Sequence, residues 1–290
     1  MLEIKNLFKD FDGFEVLRKL NWTVNTGSIT GLIGSNGAGK STLLRCVSNV
    51  YDYPKGEIEF NGVSTKVDRS DLFFVSDEPF YFNRFTTKDM LDFYACFYKN
   101  LDVELYKRLL DIFDFDDDVA INRLSRGLKR QSALILGLST RPKLLLMDES
   151  FDGLDPQTRL TLKRELIRAV TEDNMTIIIS SHNIRELEDI CDYMALLTNG
   201  KIAFDKSVEE LNNEYHKVQL GYKDNPDLSV FSKLPLLSLE VNNKVITVIY
   251  KDEAVMRAIE ETKPSLINPL SISLEEIFVS EMEAKNAKEK

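Results

Sequence analysis

Residues 34–41 read Gly34-Ser35-Asn36-Gly37-Ala38-Gly39-Lys40-Ser41, a G-x-x-x-x-G-K-S pattern. Glycines at these places let backbone N–H groups turn inward around phosphate oxygens, where a Cβ would block the turn or the approach. The apolar run Ile29–Ile33 predicts a strand just before the pattern, and Lys40–Asn49 predicts a helix just after it. A helix N-terminus adds a favourable field for an anion. In that setting Lys40 reaches the β- and γ-phosphates of a nucleotide, and Ser41 ligates Mg²⁺.

Four further segments fit the same chemistry. Leu144-Leu145-Leu146-Met147-Asp148-Glu149 is an apolar strand that ends in two acids. At the carboxyl end of a parallel sheet, Asp148 would hold Mg²⁺ through its water shell and Glu149 would orient and deprotonate an attacking water. Leu124-Ser125-Arg126-Gly127-Leu128 opens a helix. Ser125 there is either an ordinary N-cap or, with the free N–H at Gly127, part of a second anion site. Ser180-Ser181-His182 follows another strand, so His182 is either structural or close enough to contact a γ-phosphate. Gly153-Leu154-Asp155 is a turn beside the acids and caps a helix at the least.

These residues need a scaffold that gathers strand ends. Ile29–Ile33, Leu72–Val75, Lys143–Met147 and Met175–Ser180 are continuous apolar runs, the pattern of a parallel sheet covered on both faces. Leu2 and Ile4 suggest an edge strand, Trp22 and Val24 another strand, and Glu57–Phe60 a strand closed by Asn61-Gly62. Helices are expected at Pro156–Thr171, capped by Asp155, and at Ile184–Cys191. The block from about 78 to 140 breaks the alternation and reads as helices only: Thr87–Tyr98, Val103–Phe113 and Ser125–Ser139. It is rich in aromatics, among them Phe80, Tyr81, Phe82, Phe85 and Phe93, more than a small helical layer buries, so a groove for a protein partner is expected. After about residue 213 a small α+β region begins. Val218, Leu220 and Tyr222 alternate, Leu237–Val241 and Val245–Tyr250 flank a turn at Asn242-Asn243, and Glu253–Thr262 and Leu274–Met282 have helical spacing.

The 290 residues allow about two domains. With 43% hydrophobic and 29% charged residues the chain is globular rather than disordered. A net charge of −10 argues against non-specific binding of nucleic acid or of anionic lipid. No apolar run approaches the roughly 20 residues that span a bilayer, and the N-terminus lacks the apolar core of a signal peptide. Cys46, Cys96 and Cys191 lie far apart, with no metal spacing to either histidine, and read as reduced thiols in a cytosolic protein.

In order and spacing, the motifs in residues 1–210 resemble the nucleotide-binding subunit of an ATP-binding-cassette (ABC) transporter. The resemblance implies an α/β, P-loop NTPase fold with the ABC-type helical insertion, plus a small C-terminal α+β domain. The expected division is 1–213 for the ATPase domain (helical subdomain about 78–140), 214–284 for an accessory domain and 285–290 for a solvated tail. It implies ATP and Mg²⁺ as cofactors, bound by Gly34, Ser35, Asn36, Gly37, Ala38, Gly39, Lys40, Ser41 and Thr42. Leu124–Leu128 stands as the signature motif, Gly153–Asp155 as the D-loop and His182 as the switch histidine. Phe11 stands where the family stacks an aromatic on adenine, unless it is a core aromatic at a strand end. Two departures are visible. Arg126 and Leu128 replace a glycine and a glutamine of the signature, and Asp77 replaces the Q-loop glutamine. Asp77 still offers a metal ligand but has shorter reach and a charge; Glu78 takes the place if the register slips by one.

The family resemblance also implies a head-to-tail pair of cassettes, identical or paralogous. Lys40, Ser41, Asp148, Glu149 and His182 of one copy would face Ser125 and Gly127 of the other across one ATP, cut by in-line attack of water. It implies a separate integral-membrane permease, docked beside Asp77–Phe85, and a cytoplasmic place on the inner face of the cell membrane. Ser273-Leu274-Glu275-Glu276-Ile277-Phe278 resembles ABC-2 exporter subunits, which export antibiotics, amphipathic peptides, lipids or polysaccharides, the nearest in character being bacterial ones that expel antimicrobial or cytolytic peptides. The rival readings are a soluble ABC ATPase that acts on a non-transport assembly and an ATP-gated module that does not hydrolyse.

Overall fold

The computed structural model describes the backbone of residues 1–288 and the side chains of residues 1–281. It divides into two compact units, Met1–Asp205 and Lys206–Lys290. The division falls ahead of the expected 213/214, because the capped helix Val208–Glu214 groups with the second unit.

The first unit contains, in chain order, β1 (Leu2–Phe11), β2 (Phe14–Val24), β3 (Ile29–Ile33), β4 (Lys55–Phe60), β5 (Val63–Ser64), β6 (Leu72–Val75), β7 (Leu144–Asp148), β8 (Thr176–Ser181), β9 (Tyr193–Thr198) and the greater part of β10 (Lys201–Ser207), whose last two residues fall beyond the division. Its helices are α1 (Lys40–Val47), α2 (Thr87–Ala95), α3 (Val103–Phe113), α4 (Arg126–Ser139) and α5 (Pro156–Asp173). Two sheets form. One is antiparallel, in the order β2-β1-β4-β5; the other runs β10-β9-β3-β8-β7-β6, with β9, β3, β8, β7 and β6 parallel. A parallel sheet aligns its carboxyl ends on one edge. The loops after β3, β6, β7 and β8 are those that carry the phosphate loop, Asp77, Glu149 and His182.

Three sequence expectations need correction. β1 is not an edge strand, since it pairs antiparallel with both β2 and β4. The helix expected at Ile184–Cys191 is reduced to a single 3-10 turn, Ile184–Glu186. Asp192 is the reason: its carboxylate accepts from the Ile29 N–H at 2.8 Å and its own N–H donates to Ile29 O at 2.8 Å. That pulls the chain back onto β3 and starts β9 at Tyr193. α2 ends at Ala95 rather than Tyr98, and the Tyr98 hydroxyl reaches back to Leu72 O at 3.0 Å. Sequence reading also left out β9 and β10, joined at Asn199-Gly200, both left-handed with φ 49° and 72°.

The core of this unit gathers Leu2, Leu20, Leu43, Leu44, Leu146 and Ile178 between the sheets and α1. Cys46 and Cys191 are buried free thiols, and Cys96 is an exposed one. Burial pushes the Cys46 thiol up to about 11, so it is an inert core residue.

The second unit holds β11 (His216–Gly221), β12 (Ser238–Asn242), β13 (Val245–Tyr250) and β14 (Leu266–Leu270), in the antiparallel order β12-β13-β11-β14. With them go α6 (Val208–Glu214), α7 (Leu228–Phe231), α8 (Glu253–Glu261) and α9 (Leu274–Lys288). Asn243 takes the left-handed turn conformation, φ 56°, between β12 and β13. Pro269 is tolerated because β14 is an edge strand. Val218, Leu220, Ile246, Val248, Val255 and Ile259 form its core. α9 runs through Lys288, into the segment expected as a tail; the last two residues lie outside the described ones. No helix among the described residues is long and apolar enough to cross a membrane.

Candidate functional site

The phosphate loop follows β3 without a break. Gly37 and Gly39 are left-handed, with φ 82° and 104°, as inward-turning N–H groups require. A Cβ on Gly34 would stand 2.5 Å from Leu197 O of the neighbouring strand, so that glycine is fixed by packing. Ser35, Asn36 and Gly37 form the exposed crest; Ala38 and Thr42 are half-buried. Gly39, at the N-cap of α1, offers no side chain to the first-turn N–H groups, which leaves them to an anion. The Lys40 side chain is only 5% exposed. Its ammonium donates to Gly34 O at 2.8 Å and Ser35 O at 3.4 Å, and lies 3.6 Å from Glu149 Oε1. The loop thus holds the cation where phosphate oxygens would meet it.

Asp148 ends β7 fully buried. Its Oδ1 accepts from the Ser41 hydroxyl at 3.1 Å and from the Ser180 hydroxyl at 2.5 Å. Its Oδ2 is buried with no hydrogen-bond partner among the described residues. Burial raises the pKa of this carboxyl, and the two hydroxyls pull the other way. A buried carboxylate with an orphaned oxygen beside a serine hydroxyl is a hard-oxygen donor set suited to Mg²⁺. Ser41 and Asp148 are the residues that would hold it, and the ion would neutralise charge on the phosphate oxygens.

Glu149 sits in the left-handed region, φ 47°, which a non-glycine residue adopts only where its surroundings enforce it. Its N–H is held by Ser180, through Oγ and O, at 3.1 Å each. Oε2 accepts from His182 Nδ1 at 2.8 Å and from the His182 N–H at 3.3 Å. One carboxylate is thus fixed between Lys40 and His182 at the mouth of the phosphate loop. Ser180 serves both acids; sequence reading placed it on the segment but gave it no role.

The Glu149 hydrogen bond and charge raise the His182 pKa above its ordinary 6.5. The imidazolium–carboxylate pair therefore stabilises the nucleotide-free fold below pH 6.5, and that contribution is lost as pH rises through the raised value. Since His182 is about half exposed, the effect is small. The melting temperature of wild type should fall more over that rise than that of His182→Gln. Identical pH slopes for the two proteins would sink the pairing.

Other expected residues stand apart. Ser125 caps α4, accepting from the Leu128 N–H at 3.3 Å, and is exposed. A Cβ on Gly127 would lie 2.7 Å from Gly153 O, so Gly127 is where α4 touches the turn after Glu149. Both roles serve one chain. Neither residue makes a described hydrogen bond to the phosphate loop. Asp155 caps α5, accepting from the N–H groups of Gln157 and Thr158 at 3.0 Å. Phe11 is 42% exposed rather than core, edge-on to Tyr51 with ring centroids 5.5 Å apart and Lys9 Nζ 4.7 Å from its centroid.

Asp77 has a partner that sequence reading did not supply. Its Oδ1 accepts from Arg45 Nη2 at 2.7 Å, and no described bond ties it to Ser41 or Asp148. The guanidinium gives this carboxylate a counter-charge, and the Asp77 charge is near enough to Asp148 to help raise the pKa of that carboxyl. Glu78 is exposed.

Comparison with known proteins agrees with this geometry. The family described as ABC transporter matches residues 17–152. Over 290 residues the chain is 30% identical to the ABC transporter ATP-binding protein YtrB of Bacillus subtilis (strain 168), covering 98% of this chain and 99% of YtrB. The methionine import ATP-binding protein MetN of Clostridium acetobutylicum is 30% identical over 234 residues, covering 73% of this chain and 70% of MetN. A solved ATP-binding subunit of an ABC transporter superposes with TM-score 0.67 at 25% identity, covering 73% of this chain and 92% of that one. The chain therefore belongs to the ABC transporter ATP-binding family, as an ATPase that uses ATP with Mg²⁺.

Proposed function

We propose that this subunit powers export through a separate membrane protein, with two cassettes closing head to tail on ATP and opening on its hydrolysis. The observation that carries the two-copy part is the split site. Lys40, Ser41, Asp148, Glu149 and His182 converge, while Ser125 caps its own helix and Gly127 packs against Gly153, with no described bond from either to the phosphate loop. Ser125, Arg126 and Leu128 are exposed at the start of α4, free to meet a nucleotide held by another copy. One cassette surrounds the terminal phosphate on one side only, so the second face supplies the remaining donors. On this reading Glu149 takes the proton of the attacking water, His182 orients Glu149, and Phe11 packs on the base.

The membrane protein fits the aromatic surface of the helical insertion. Phe80 and Phe97 are 75% and 59% exposed, and Phe82 and Phe93 join them through ring contacts at 5.0–5.4 Å. This apolar groove suits a cytoplasmic helix of the permease. Association with the inner face of the cell membrane then runs through that partner alone. The export direction rests on the resemblance of Ser273–Phe278, at the start of α9, to exporter subunits, and amphipathic peptides are the cargo that resemblance favours.

The test uses inside-out vesicles that carry the chain with the membrane protein that co-purifies with it. External ATP should drive a labelled amphipathic peptide into the lumen. ATP-driven loss of a preloaded cargo would mean import, the activity named for MetN. If no membrane protein co-purifies, the soluble-assembly reading replaces this one.

A further inference from the structure

Helix α1 carries one basic residue in its last turn, Arg45, a turn beyond Ser41 and on the same face. Its guanidinium binds Asp77 Oδ1 at 2.7 Å and the Tyr51 hydroxyl at 3.3 Å, and lies 5.5 Å from the Tyr51 ring centroid. From the opposite side comes Arg130 of α4, which is 2% exposed. Arg130 Nη2 donates to the Asp77 carbonyl at 2.9 Å, and Nη1 donates to the Asp152 carbonyl. Asp152 in turn belongs to the turn that Glu149 begins, its N–H donating to Glu149 O at 3.2 Å.

Asp77 is therefore gripped twice. Its side chain is tied to the phosphate-loop helix, and its peptide to the helix that begins at Ser125. The grip is costly. Arg130 Nε is buried without a hydrogen-bond partner among the described residues, and burial pulls the guanidinium pKa below its usual value. An apolar side chain of similar volume would fill the space without that desolvation. What it could not do is hold two carbonyls from separate catalytic loops with one planar fork.

We propose that Arg45 and Arg130 form a clamp on Asp77 that fixes Ser76–Pro79 against the magnesium edge, which makes Asp77 a positioning residue rather than a metal ligand or base. The neutral glutamine of the resembled family needs no counter-charge, whereas an aspartate here does, and Arg45 supplies it. The same segment lines the aromatic groove, together with Arg45, Phe80 and Phe82.

The inference rests on the chain being an ATPase. Lys40→Ala, which removes phosphate binding whatever Asp77 does, serves as the control for that reading. Steady-state ATPase rates of the full chain are measured for R45D, D77R, R45D/D77R, D77N and R45K, with melting temperatures beside them. R45D and D77R should each lose about tenfold in kcat with the KM for ATP little changed, and the swapped pair should recover most of it. Because the pair is a quarter to a third exposed, added salt should lower wild-type kcat but not that of D77N. R45K should retain more activity than R45D. If the charge-reversed variants fail to fold, D77N and R45K carry the test through the salt dependence alone. The clamp is overturned if D77N raises the Mg²⁺ concentration for half-maximal rate by about tenfold or more with kcat unchanged, which would make Asp77 a metal ligand. It is equally overturned if folded single variants match wild type, or if the swap recovers nothing.

Discussion

Glu149→Gln is expected to cut ATP turnover by about a hundredfold or more while ATP binding survives. The substitution keeps shape and changes one property. A glutamine still offers an oxygen to the His182 N–H and Nδ1, which now bond Oε2 at 3.3 and 2.8 Å. It cannot accept a proton from water. Lys40 loses a carboxylate 3.6 Å away but keeps the carbonyls of Gly34 and Ser35, so the phosphate loop stays formed. A negative charge is also removed from beside the place where the terminal phosphate lies, which favours the bound state. The expected pair of results is loss of phosphate release and, in the two-cassette scheme, a dimer on size-exclusion chromatography that persists with Mg-ATP. Turnover within threefold of wild type would remove Glu149 as the base. Lost turnover with no ATP-dependent dimer would leave the base in place and reject the head-to-tail scheme.

The phosphate loop and the two acids were legible because each imposes a local demand that sequence displays. Glycine is required where φ is positive, a cation follows at fixed spacing, and carboxylates end an apolar strand. The continuous apolar runs announced the parallel sheet for the same reason, since both faces are buried. Partnerships made across the fold left no such mark. Ser180 is one small polar residue among several at its strand end, yet it holds both Asp148 and Glu149. Arg130 reads as a solvated helix residue beside Arg126 and Lys129; only the packing of α4 shows that it is buried. Arg45 sits on the face of Ser41 at helical spacing, a signal that was available, but its partner Asp77 lies after β6 and no local pattern links them. Ile184–Cys191 failed differently. Its apolar spacing is helical, but the bonds from Asp192 to Ile29 decide the path, and those depend on where β3 already is.

Lys40→Ala should abolish detectable ATP binding, and with it the thermal stabilisation that ATP confers. At a hundredfold excess over Kd a ligand stabilises by about 2.7 kcal/mol. In a unit of this size that corresponds to a rise in melting temperature of about 5–10 °C. On the proposed reading the lysine would supply the charged contact to the β- and γ-phosphates, and charged hydrogen bonds are worth about 1.5–3 kcal/mol each. Losing two such contacts weakens binding by a factor of about a hundred or more, enough to erase the shift at the same ATP concentration. The nucleotide-free variant should melt below wild type, because two loop carbonyls lose a buried charged donor. Glu149 retains His182 when the ammonium is gone. The ATP-induced rise, taken for each protein from its own nucleotide-free melting point, is what makes the experiment decisive. Calorimetric ATP affinity within threefold of wild type would mean that Lys40 does not face the phosphates, and the assignment of Gly34–Ser41 as their cradle would fall with it.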